Sequence, residues 1–164
     1  MPTLLAWEGL PLIMVRPKAQ DGAPLRAFQN SETLVYWIHR ALHLPRLYRH
    51  IHKYHHRFHS PTPWVSFAFH PVDAFAQALP NYLFVFIFPI HIGIYLCLTV
   101  FLIVWTVMIH DQLSFVTSGL INHTGRHTTH HRYNDYNFGQ YFTLWDRIGK
   151  TLRDPQTETR YAVL

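Results

Sequence analysis

The longest apolar stretch of the chain runs from Leu83 to Ile109 and contains no Asp, Glu, Lys or Arg. A bilayer crossing needs roughly 20 apolar residues, so this stretch exceeds one span, and Pro89, His91 and Gly93 interrupt it early. The pattern predicts either one tilted, kinked transmembrane helix or a tight re-entrant hairpin turning near Pro89. Residues 64–80 are also apolar but are broken by His70-Pro71 and Pro80, which predicts a short amphipathic helix from Val72 to Leu79 at the membrane surface. A third apolar run, Leu4 to Val15, carries Glu8 and Pro11 and is too short to cross. It lacks the basic flank of a signal peptide and reads as an interfacial segment or disordered leader.

Between these runs the polar segments alternate with amphipathic ones. Residues 16–30 hold Pro17, Gly22 and Pro24 and read as a loop. Ser31, followed by Glu32 in the first turn, predicts a helix start. That helix carries Leu34, Trp37, Ile38 and Leu42 and ends or kinks at Pro45; a second follows from Arg46 to Phe58, stopped by Pro61 and Pro63. A further helix is expected from Leu120 to Arg132, then an aromatic, turn-rich stretch. The chain thus divides into a leader and linker over 1–30, a domain over 31–153 and a loose tail over 154–164.

The candidate chemistry lies in the histidines. Seven of the 14 fall between Tyr36 and His59. His39 and His43 stand four apart, about 40° around an α-helix. His52, His55 and His56 span about 100° of arc and project from one helical face, and His127, His130 and His131 repeat that spacing. Burying eight imidazoles in three clusters without a shared partner is costly, whereas neutral imidazole is a ligand for zinc, copper, iron and nickel. No cysteine accompanies the clusters, unlike most structural zinc sites. Eight or more imidazoles exceed one ion's needs and point to two, and a nitrogen-rich pair beside lipid favours iron and dioxygen chemistry. The fold class expected is an all-α integral membrane protein, with a helical, histidine-rich di-metal domain on a short transmembrane hairpin or kinked helix.

Composition adds three constraints. Charged residues are only 14% and aromatics 16%, which suits a protein that gives much of its surface to lipid. The net charge of +5 clusters at 40–57 and 147–160, flanking the apolar middle. Cationic segments so placed face anionic lipid on the cytoplasmic side, and no nucleic-acid-binding motif accompanies them. The single cysteine, Cys97, excludes an internal disulfide and reads as a small buried hydrophobe.

Several segments also carry a family resemblance: YWIHRALH, LYRHIHKYHHRF, SPTPWVSFAFHPVDAF, FPIH, WTVMIHD and HTTHHRYNDYNFGQYFTLWDRIG. In this order, from Tyr36 to Asp154, they resemble the fatty acid hydroxylase/sterol desaturase superfamily of membrane di-iron oxidases, and most closely the sterol C-5 desaturases (lathosterol oxidases). The resemblance implies two irons held by His39, His43, His52, His55, His56, His127, His130 and His131, with His110 as a ninth ligand. It leaves His70 as a tenth ligand, a ligand-orienting group or the cap of the following helix, and His91 as a ligand or an interface residue. Asp146 and Arg147 either orient imidazoles or form a plain ion pair or helix cap. Tyr133, Tyr136, Asn137 and Tyr141 shape a cavity mouth or pack at the membrane interface. His50, His59 and His123 fall to the surface or behind the ligands.

The implied reaction uses dioxygen to convert a Δ7-sterol to the Δ5,7-diene, with electrons from NAD(P)H through cytochrome b5 docked on the basic flank Arg40 to Arg57. Hydroxylation of a fatty acid, carotenoid or sterol methyl group is the alternative within the family. Its location would be the endoplasmic reticulum in a eukaryote or the inner membrane in a bacterium, with the histidines cytoplasmic. Family members are usually longer, with transmembrane helices ahead of the first histidine group. This makes a truncated fragment, or a non-catalytic metal-binding membrane protein, the competing expectation. The family also often has histidines where Phe67 and Arg126 stand here.

Overall fold

The computed structural model describes residues 22–88, 90–111 and 118–155. The expected N-terminal segment 4–15 and most of the tail lie outside the described residues. Six α-helices and two 3₁₀ helices make up the regular structure, with one isolated antiparallel bridge, Ile121 to Phe142, and no strand among the described residues.

Helix α1 spans Ala23–Leu42, eight residues longer at its start than the Ser31 cap predicts. Gly22 precedes it with a left-handed φ of 86°, and Pro24 sits in its first turn, where a missing N–H costs nothing and the fixed φ suits a helix. Pro24 therefore starts the helix rather than marking a loop. Ala23, Ala27, Ser31, Val35, His39 and Leu42 form the buried face, and Ser31 spends its hydroxyl on Asn81 at 2.5 Å rather than on a cap.

Pro45 likewise begins a helix, the short α2 (Pro45–His50). The chain then tightens into a 3₁₀ helix, His52–Arg57, so the expected single helix over 46–58 is two pieces of different pitch. A second 3₁₀ helix, Pro63–Phe67, leads to α3.

Helix α3 covers Pro71–Ile87 and passes through Pro80, where the sequence predicts an end. Its polarity is inverted. Asp73, Gln77 and Asn81 bond inward to His52, to each other's turn and to Ser31. Val72, Phe75, Tyr82, Leu83 and Phe86 point outward, Phe86 with 84% of its surface exposed. The next helix is α4, Ile92–His110, with a mean hydropathy of 2.5. Of the two expected arrangements the long apolar run is thus not one kinked helix but a pair of helices, the end of α3, which begins well before Leu83, and the whole of α4. Cys97 lies on the exposed face of α4 with Leu96, Val100 and Phe101, not in the interior.

Helices α5 (Thr124–Tyr133) and α6 (Leu144–Ile148) flank an irregular loop. The apolar core is small, built on Ala27, Phe84 and Ile90 with Phe88 and Tyr95 against it. Most of the largest fully buried side chains are polar: His52, His56, His110, His130, His131, Asn122, Asn137, Asp73 and Asp146. Asn137 adopts φ 56° and bonds to Arg126 and Arg153 backbone groups, closing the loop. At Gly139 an added Cβ would stand 2.5 Å from the Phe142 carbonyl and 2.9 Å from Asp146. Gly139→Ala is expected to destabilise the fold by about 1–3 kcal/mol, as overpacking does, and to lower the thermal midpoint in detergent; an unchanged midpoint would show that the loop has room to yield.

Candidate metal centre

Nine imidazoles converge in two adjoining groups. His39, His43, His52, His56 and His130 form the first, and His55, His110, His127 and His131 the second. Within each group one ring nitrogen per residue lies within 4.8 Å of all the others. The groups touch, with His56 stacked on His131 at 4.6 Å between centroids and His127 on His130 at 5.5 Å.

The spacing of each motif accounts for the division. His39 and His43, an i, i+4 pair at the end of α1, both join the first group. In His52-x-x-His55-His56 the outer pair joins the first group and His55 turns to the second. In His127-x-x-His130-His131 the outer pair joins the second group and His130 turns to the first. Each trio is therefore shared between the groups, not aimed at one point as a single helical face predicts. His110 arrives from the last residue of α4.

Hydrogen bonds at the outer nitrogens fix how the rings face inward. His52 donates through Nδ1 to Asp73 at 2.7 Å, His39 to the Phe138 carbonyl at 2.9 Å, His130 to the Tyr136 carbonyl at 2.7 Å and His110 to the Thr106 carbonyl at 2.7 Å. Carbonyls and carboxylates only accept, so these four rings carry the proton on Nδ1 and point an Nε2 lone pair into the centre. There Nε2 atoms face one another: His52–His56 and His56–His130 at 3.1 Å, His55–His110 and His127–His131 at 3.2 Å, His110–His127 at 3.0 Å. His43 Nε2 is buried with no partner at all.

Opposed lone pairs repel unless a cation lies between them. Two nitrogens about 2.1 Å from one ion are about 3.0 Å apart at right angles and about 4.2 Å apart across it. The observed separations match that requirement, so the nine residues fit two metal ions with an all-nitrogen donor set.

Burial favours the neutral form, the one that binds metal, in seven of these rings. It pushes His39 down to about 3, with crowding by His52 adding to the effect. Burial first, and crowding by other imidazoles second, hold His43, His55, His56, His127, His130 and His131 well below the usual histidine range.

The remaining histidines do other work. His70, His91 and His123 each precede a helix and accept the N–H two residues on, from Val72, Gly93 and Gly125. His70 and His91 thus lie outside both groups as N-caps of α3 and α4. His50 and His59 are exposed.

Asp146 touches no imidazole. It accepts the backbone N–H groups of Phe138 and Gly139 at 2.9 Å each and the Thr151 hydroxyl at 2.7 Å, and burial raises its pKa. Its effect reaches His39 through the Phe138 carbonyl. Arg147 binds the Gly119 carbonyl and Thr143 instead. Tyr141 packs on Phe28, Phe101 and Trp105, and Tyr133 and Tyr136 hold Arg153.

Two buried carboxylates escape a motif search. Asp73 is the only charged side chain from Phe58 to His110, a signal that was present in the sequence. Glu32 lies in mid-helix and grips the N–H groups of Tyr141 and Phe142, its pKa pushed by burial up to about 7.

A family model described as fatty acid hydroxylase matches residues 25–151. The chain is 50% identical over 130 residues to a lathosterol oxidase of Rattus norvegicus, covering 77% of this chain and 44% of the relative. It is 50% identical over 128 residues to a Delta(7)-sterol 5(6)-desaturase of Aspergillus fumigatus, covering 78% and 38%. To the lathosterol oxidase of Homo sapiens it is 45% identical over 130 residues, covering 77% and 44%. The chain spans less than half the length of these curated relatives. No solved structure matches it significantly.

The depressed histidines predict the pH response of the metal-free fold. Unfolded, these rings take a proton near 6.5; folded, they resist it, His39 down to about 3. Their contribution is complete above about 6.5 and is lost as pH falls below it. Glu32, between 4.5 and about 7, and Asp146, also raised by burial, act in the opposite sense but are two groups against seven. The thermal midpoint of chelator-stripped protein is expected to fall steadily from pH 7 to pH 4; a midpoint that rises on acidification would contradict the assignment of neutral rings.

Proposed function

Because the chain belongs to the fatty acid hydroxylase family, we propose that it carries the metal centre of a membrane oxidase that introduces the C-5 double bond into a Δ7-sterol. The observation that carries this reading is the convergence of nine imidazoles, four with the tautomer fixed lone pair inward, in two adjoining groups. On this reading His39, His43, His52, His56 and His130 hold one iron and His55, His110, His127 and His131 the other. The bound irons supply dioxygen activation for removing hydrogen from an unactivated C–H bond. The protein's share is to keep the rings neutral, fix their orientation through Asp73 and the Phe138, Tyr136 and Thr106 carbonyls, and exclude bulk water by burial.

Membrane residence supports a lipid substrate. Helix α4 is long and apolar enough to cross a bilayer, and Ile92, Ile94, Leu96, Val100, Phe101, Ile103 and Val104 on it are exposed. The outward stripe of α3 and the exposed Trp64 and Phe67 extend the same apolar surface. Between Arg57 and Asp111 the only formal charge is Asp73, and it is turned inward onto His52. An aromatic-rich face of this kind suits the lipid interface.

The electrons are proposed to come from NAD(P)H through a cytochrome b5-type carrier. Exposed Arg46, Arg49, Lys53 and Arg57 surround the first trio of histidines and offer an acidic carrier a docking face. Charge reversal at Arg49 and Lys53 should then lower turnover and flatten its salt dependence, while leaving metal content unchanged.

Membranes containing the chain and an electron donor, given a Δ7-sterol, are expected to yield the conjugated diene, and His55→Ala to abolish it. An alcohol product would move the assignment to hydroxylation. No oxidised product from a fully iron-loaded chain would contradict the proposal.

A further inference from the structure

The two histidine groups are not equivalent, and the differences all run the same way. The first group has five imidazoles and the second four. In the first, three rings are braced at Nδ1: His52 by the buried carboxylate of Asp73, and His39 and His130 by carbonyls. In the second, His110 is braced by the Thr106 carbonyl at 2.7 Å, with the Phe58 carbonyl a weaker neighbour of His131. His55, His127 and His131 have a buried Nδ1 without a hydrogen-bond partner, against His56 alone in the first group. Asp73 is itself held by the Gln77 amide at 2.6 Å and is completely buried, and His52 is the one imidazole it hydrogen-bonds among the described residues.

A carboxylate behind an imidazole raises the basicity of the metal-binding nitrogen and fixes the ring, and losing such a partner typically costs 10–100-fold in metal affinity. A fifth donor adds to the same side. We propose, on the premise of the two-metal reading above, that the five-histidine group holds its ion tightly while the four-histidine group holds an exchangeable one, and that Asp73 is the positioning residue that sets this order. The tight ion then organises His52, His56 and His130. Since the two trios are shared between the groups, this prepares His55, His127 and His131 for the second ion. The four-histidine group also leaves more of its ion's coordination sphere open to small ligands.

Graded chelation of the loaded full chain tests this without any activity assay. Cobalt(II) serves as the probe, followed by visible absorption and by metal analysis of the protein fraction. The wild type should lose its ions in two steps. His127→Ala should retain one ion that leaves with the wild type's second, resistant step. Asp73→Asn keeps the shape and one acceptor oxygen but removes the charge, and should shift the resistant step by roughly 10–100-fold toward easier removal while leaving the first step in place. Two ions lost in a single step from the wild type, or a remaining ion in His127→Ala that leaves as readily as the wild type's first, would overturn the order. An Asp73→Asn protein with an unshifted resistant step would overturn the role of Asp73. A chain that never holds two ions would instead overturn the two-metal reading itself, and this inference with it.

Discussion

Four imidazoles in this protein donate their Nδ1–H to an outward acceptor, and that bond fixes their tautomer. The acceptors are Asp73 and the carbonyls of Thr106, Tyr136 and Phe138. Each bond turns a lone pair toward others some 3 Å away, an arrangement that is repulsive without a cation and favourable with one. The elements around the centre serve to place these acceptors. Helix α3 brings Asp73 beneath the first trio. Asp146 and Glu32 hold the loop from Phe138 to Phe142 by its backbone N–H groups, which fixes the carbonyl that His39 uses. The last turn of α4 supplies both His110 and the carbonyl that orients it.

This division of labour inverts the usual distribution of polarity. The interior is occupied by histidine, asparagine, threonine and aspartate, whereas α3 and α4 present Phe, Leu, Ile and Val outward. Such a chain gains less than usual from apolar burial: among the described residues 11 buried apolar residues stand beside 21 buried polar or charged ones. Its stability must come from satisfied polar networks within and, on the membrane reading, from lipid without. Buried polar networks of this kind are favourable only when complete, which makes metal binding and folding parts of one equilibrium.

The histidine motifs were legible in the sequence because i, i+4 spacing survives a change of helix type: His52 and His56 act as a pair on a 3₁₀ helix as His127 and His131 do on an α-helix. The nine histidines named from the sequence are the nine that the fold gathers. Their division between two groups was not legible, since it depends on how α5 faces the 3₁₀ turn. Pro45 separates two helices as its sequence predicts, but two other prolines misled: Pro24 read as loop and stands in the first turn of α1, and Pro80 lies inside α3. Of the alternatives left open for His70, the structure shows the cap of α3; His91, read as ligand or interface residue, caps α4. Asp73 passed unnoticed because its importance depends on His52, 21 residues away.

The central claim is that two ions, held only by imidazole nitrogen, fill the space between these rings. X-ray absorption at the iron edge, on protein purified in mild detergent, addresses it directly. The account predicts a first shell dominated by nitrogen at about 2.1 Å, outer scattering from imidazole rings and a neighbouring iron. Absence of bound iron after reconstitution, or a first shell without imidazole scattering, would contradict it.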